Sequence, residues 1–174
     1  MALRAVAVAV WVALAAVCAV VFTGTGEAVV NALGCAVIVA ITVTDIERRV
    51  IPNRIVLPAL VAALVVQTVR EPSVEWVVSA LAAGGFFLVL ALVYPAGLGM
   101  GDVKLAAFMG AWLGRDVAVA LFVGSLLGMV PALVALLRRG GKGRKETLPY
   151  GPFLAAGGVV GLFFGSALLD AWLG

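Results

Sequence analysis

Long apolar runs separated by short charged clusters dominate this chain, and that alternation limits what it can fold into. Apolar segments lie at about Ala5 to Phe22, Ala28 to Thr44, Ile55 to Val69, Trp76 to Tyr94, Val103 to Leu113, Val117 to Leu137 and Phe153 to Leu173. A helix needs roughly 17 to 25 residues to cross a bilayer; the fifth segment, at about a dozen, falls short on length alone. With 64% apolar and 12% charged residues over 174 positions, the chain departs from soluble domains, which are nearer half apolar and a quarter charged. The expected architecture is an all-α, polytopic membrane helix bundle of about seven transmembrane helices. It forms one domain over residues 1–174, with residues 1–22 as an extra N-terminal anchor helix.

Charge placement gives the fifth segment a second argument, because cytoplasmic loops carry an excess of Lys and Arg. With seven crossings and the N-terminus inside, the inner side receives Arg4, Arg48, Arg49, Arg54, Lys104, Arg138, Arg139, Lys142, Arg144 and Lys145. The outer side keeps only Arg70 and Arg115. If the fifth segment did not cross, the cluster from Arg138 to Lys145 would move outside while Arg48 and Arg49 stayed in. A short or tilted fifth helix is therefore expected. The first run is long for a signal-peptide core and reads as an uncleaved anchor.

Residue types narrow the chemistry. There is no histidine, hence no imidazole base, and Cys18 and Cys35 both fall inside apolar runs, so no metal site is expected. No cofactor is required. No basic stripe with interleaved aromatics suggests nucleic acid; the lipid bilayer is the evident partner, and the oligomeric state is not legible. Glycines at helical spacing, Gly110 with Gly114, Gly124 with Gly128 and Gly161 with Gly165, read as close-packing positions between helices. Trp11, Trp76, Trp112 and Trp172 fall near segment ends, as interface anchors do.

Carboxylates, lysines and hydroxyls remain. Glu27, Glu71, Glu75, Asp116 and Asp170 fall on outer loops or ends and read as solvated. On the inner side, Asp45 stands where the second helix ends, a position the helix dipole disfavours for an acid; an ion pair with Arg48 or Arg49 would compensate it. Asp102 follows Pro95-Ala96-Gly97-Leu98-Gly99-Met100-Gly101, and as a helix N-cap it would have a purely structural role. The topology nonetheless puts both acids on one side at similar depth. Two carboxylates within hydrogen-bonding range share a proton and act as one base and one acid, which suffices to activate water against an amide.

Three elements then line up. Asp45 with Ile51-Pro52-Asn53, Gly99-Met100-Gly101-Asp102-Val103-Lys104, and Pro149-Tyr150-Gly151-Pro152-Phe153-Leu154 resemble, in order, the D-x5-I-P-N, G-x-G-D-x-K and G-P-F elements of the type IV prepilin peptidases. These are membrane-embedded GxGD aspartyl proteases of bacteria, and the resemblance spans residues 40–156. It implies that Asp45 and Asp102 are the catalytic pair, with Gly99, Gly101, Lys104, Pro52, Asn53, Gly151 and Pro152 supporting the site. It further implies a location in the bacterial inner membrane and substrates that are prepilin-like precursors. Their short basic leader is removed at the cytoplasmic face, after a glycine that precedes an apolar helix. Many members resemble a fusion with a cysteine-rich, zinc-binding region and an N-methyltransferase; this sequence carries no such cysteine pairs, so a peptidase-only form is expected.

The supporting residues have plainer readings. Lys104 lies about 200° around the helix from Asp102 and fits a lysine snorkelling to the interface or one supporting Asp45 or a substrate carbonyl. Asn53 suits an N-cap beside Pro52, and Pro152 the first position of the last helix. Glu47 reads as solvated among arginines, or as an attractor for a basic leader. A non-enzymatic alternative, a small transporter or assembly scaffold with structural aspartates, also stands.

Overall fold

The computed structural model describes residues 2–93, 98–139 and 149–173. These form seven α-helices: α1 (Ala2–Val21), α2 (Thr25–Arg48), α3 (Asn53–Arg70), α4 (Glu75–Val93), α5 (Met100–Leu113), α6 (Val117–Arg139) and α7 (Gly151–Leu173). The expected segments and these helices coincide to within a few residues. The basic stretch 140–148 and residues 94–97 lie outside the described residues.

Six stretches are long and apolar enough to cross a membrane: the helices α1 to α4, the continuous Met100–Pro131, and α7. The fifth of these is α5 joined to α6 by a 3-10 turn at Gly114–Asp116. Gly114, at φ +59°, breaks the helix, and its N–H returns to the Gly110 carbonyl. This left-handed conformation suits glycine because it has no Cβ. Beyond the break the two parts separate: α5 packs on α4, whereas α6 packs on α7. At 14 residues α5 is about 21 Å long by the helical rise, the short helix anticipated from the charges.

α4 and α5 run antiparallel, as do α6 and α7, and close approaches at glycine fix the register of each pair. A Cβ on Gly110 would strike the Ser79 carbonyl, and one on Gly84 would lie 2.9 Å from the Ala107 Cβ. On the other pair, Gly157 abuts the Ala120 carbonyl and Gly161 the Ala120 Cβ. Such contacts replace the hydrophobic drive that helices lack among lipid tails. The outer surface matches that setting: Val20, Val69, Leu81 and Leu92 are among many large apolar side chains left exposed. In water that surface would drive association; in lipid it is the solvated face.

The end opposite Asp45 and Asp102 is closed by buried polar bonds. The Trp112 indole N–H donates to Asn31 Oδ1 at 3.1 Å, and Gln67 Nε2 donates to the Trp112 carbonyl at 2.7 Å. Trp112 is thus a core residue, 2% exposed, and not an interface anchor; it fits because Gly34 leaves room for its ring. Two acids expected in solvent are not simply solvated. Glu75 Oε1 accepts the Arg115 N–H at 2.9 Å, and Asp116 is half-buried with Oδ1 enclosed and without a partner among the described residues.

The glycine contacts give a direct check on this packing. Gly110→Ala should lower stability by about 1–3 kcal/mol, read as an earlier thermal unfolding midpoint in detergent. Gly85→Ala, with nothing within 4 Å of its Cβ, should leave the midpoint unchanged or slightly raised. Equal midpoints for both variants would contradict the α4–α5 register.

Candidate active site

Helix ends build the site. Asp45 lies in the last turn of α2, whose final backbone bond runs from the Arg49 N–H to the Asp45 carbonyl at 2.8 Å. Arg49, at φ +54°, turns the chain out of the helix in a left-handed cap, and Ile51-Pro52 carries it into α3. Ile51 is buried, and a Cβ on Gly101 would lie 2.8 Å from the Ile51 Cβ. Gly101 therefore lets the segment after Asp45 seat directly on the first turn of α5. A side chain there would push the two aspartate-bearing elements apart.

Asp102 is the third residue of α5, not its N-cap. Gly99 is the cap: its carbonyl accepts the Asp102 N–H at 3.0 Å, and its own N–H donates to Asp102 Oδ2 at 3.0 Å. This is the reciprocal half of a capping box, an anchorage that fixes one carboxylate oxygen. A carboxylate in the first turn of a helix is also favoured by the dipole.

Asp45 is anchored from the opposite direction in the sequence. Its Oδ2 accepts the Gly151 backbone N–H at 2.9 Å, in a buried bond joining residues 106 positions apart. A Cβ on Gly151 would sit 2.8 Å from that oxygen, so the approach requires glycine. Among the described residues neither Arg48 nor Arg49 pairs with Asp45, so the ion pair that would have explained it is absent there. Pro152 is the second residue of α7 rather than the first; lacking an N–H costs nothing in that turn.

Asp45 and Asp102 are thus 6% and 8% exposed and lie at one end of the bundle, where Ile51, six residues after Asp45, seats on Gly101, the residue before Asp102. Tyr150, which sequence reasoning passed over as part of a turn, stands beside them. Its ring packs 6.4 Å from that of Phe87 and against Gly128. Burial pushes its pKa above the ordinary tyrosine value, so the hydroxyl is neutral at physiological pH. Its position directly before Gly151 was the available signal.

The remaining expected residues form a rim. Asn53 is not an N-cap, a place taken by Pro52; as the first residue of α3 it uses Oδ1 to accept Lys104 Nζ at 2.8 Å. Lys104 is therefore tied to α3 rather than to Asp45. Glu47 is not free among arginines: its carboxylate accepts Nε and Nη2 of Arg4, both at 3.2 Å, linking α1 to the end of α2. Among the described residues no group of three or more His, Cys, Asp or Glu could hold a metal ion.

The Lys104–Asn53 bond is exposed, so it is modest. A double-mutant cycle of Lys104→Met with Asn53→Leu should return a coupling of about 0.5–1 kcal/mol in unfolding free energy. Strictly additive effects would mean that the lysine reaches only for the interface.

The chain resembles known proteins over most of its length. The model of the type IV leader peptidase family matches residues 32–133, more than half of the sequence. A "Prepilin leader peptidase/N-methyltransferase" of Burkholderia pseudomallei is 36% identical over 166 residues, covering 88% of this chain and 52% of that protein. Proteins of the same name from Bacillus subtilis and Legionella pneumophila are 33% and 28% identical, covering 78% and 79% of this chain and 56% and 50% of theirs. The chain spans about half the length of these relatives. No solved structure matches it significantly. With a polytopic helical bundle on the page and a match that covers both Asp45 and Asp102, the chain belongs to the type IV leader peptidase family.

Proposed function

We propose that this protein is an aspartic endopeptidase that removes the short basic leader of prepilin-like precursors at the cytoplasmic face of the bacterial inner membrane. The observation that carries this reading is the convergence of Asp45 and Asp102 at one end of the bundle, each fixed through Oδ2 by a backbone N–H. Two such acids share one proton. The ionised partner takes a proton from a water, whose oxygen attacks the scissile carbonyl, while the protonated partner donates to the carbonyl oxygen. Collapse of the tetrahedral intermediate then returns a proton to the departing nitrogen. Base and acid are both supplied by the pair.

The rest of the end is consistent with this chemistry. Backbone anchors cost no side-chain entropy and hold the carboxylates as fixed groups, which is the preorganisation that acid-base catalysis needs. The cytoplasmic assignment rests on the positive-inside distribution, with Arg4, Arg48, Arg49, Arg54 and Lys104 all at the aspartate end. The substrate class follows from the relatives' name. Their second activity is not assigned to this chain, whose two cysteines are both buried within helices.

Cleavage of a precursor with a basic leader ending in glycine, followed in reconstituted membranes, tests the proposal. Asp45→Asn and Asp102→Asn preserve shape but remove the carboxylate, and each should lower kcat by about 10²–10⁴-fold. Gly151→Ala should lower kcat by at least about tenfold, because the displaced Asp45 no longer faces its partner. Normal processing by both asparagine variants would return the aspartates to a structural role and the protein to the scaffold or transporter class.

A further inference from the structure

A groove of about 530 Å³ opens beside α1, between it, α2 and the start of α3. Its walls include Ala7, Trp11, Ala36, Ala40, Val43 and Ile55, and Arg4, Glu47 and Arg48 line one end. The Trp11 indole N–H donates to the Ala32 carbonyl at 3.0 Å, which holds the ring across the far end. From Ala36 to Arg48 the groove runs along α2 for about 18 Å at the helical rise. That is close to one leaflet of hydrocarbon, roughly 15 Å, or half of a core about 30 Å thick.

The charges at its mouth do not cancel. Arg4 and Glu47 neutralise each other through their paired contacts, whereas Arg48 makes no ion pair among the described residues. A slot of one leaflet's depth thus ends on a guanidinium at headgroup level. Guanidinium groups bind phosphate through paired N–H donors.

We propose that this groove binds one acyl chain of an anionic phospholipid, with the lipid's phosphodiester held by Arg48. The site does not include the aspartates, and the inference is independent of the peptidase reading. A lipid seated there bridges α1 and α2 one turn beyond Asp45.

Native mass spectrometry of the full chain in non-ionic detergent tests this, with phosphatidylglycerol and phosphatidylcholine of identical acyl chains as probes. Both lipids offer Arg48 a phosphodiester, but choline adds a positive charge that the guanidinium repels, so the wild type should retain one phosphatidylglycerol at least about tenfold more tightly than phosphatidylcholine. Arg48→Gln should abolish that preference, Arg49→Gln, outside the groove, should keep it, and Ala40→Phe should weaken both lipids by filling the slot. Equal retention of the two lipids by the wild type would overturn the proposal. So would a preference that survives Arg48→Gln, one lost equally in Arg49→Gln, or binding undiminished by Ala40→Phe.

Discussion

A carboxylate held inside an apolar bundle must be hydrogen-bonded by the protein, because burial without a partner costs several kcal/mol. In this protein the donors are backbone amides of glycine. Gly99 serves Asp102 from within the same turn, and Gly151 serves Asp45 from more than a hundred residues away. The second bond constrains the whole arrangement: it requires the start of α7 to lie on the end of α2, with no side chain between them. Gly101 sets the same condition for the contact between Ile51 and α5. Closeness of helix ends, granted by missing side chains, is what brings distant acids together.

The two ends of the bundle are built differently. At the end away from the aspartates, Trp112 is locked between Asn31 and Gln67 by buried bonds, and the helix pairs meet backbone to backbone. At the aspartate end the buried Gly151–Asp45 bond and the seat of Ile51 on Gly101 are ringed by exposed contacts, Arg4–Glu47 and Lys104–Asn53. Exposed polar contacts are weak, so the rim adds little to the hold of those two buried contacts.

Much of this was legible in the sequence because lipid imposes simple rules. Apolar length and the positive-inside bias were enough for seven helices, including the short α5, and for placing both aspartates at one end. Local roles were harder to read. Asp102 looks like an N-cap in sequence because Asp is common there, yet Gly99 caps α5 and Asp102 acts three residues on. Asn53 also looks like a cap, but its oxygen is used by a lysine from another helix. Trp112 lies at a segment end, where an indole usually meets headgroups; only a partner glycine at position 34 makes it core. The last two misreadings share a cause: each depends on a residue far away in the chain, which periodicity and propensity do not see, whereas Gly99 lies only three positions from Asp102. Tyr150 escaped notice for the same reason.

The central claim is that the acids of α2 and α5 converge at one end of the bundle. Cross-linking measures this directly, in a background with Cys18 and Cys35 replaced by serine. With cysteines at 45 and 102, a short bis-thiol reagent should join the two peptides rapidly, as detected by mass spectrometry after digestion, whereas cysteines at 45 and 116, at opposite ends, should not be joined. Failure of the first pair to link under conditions where each single thiol reacts would contradict the account.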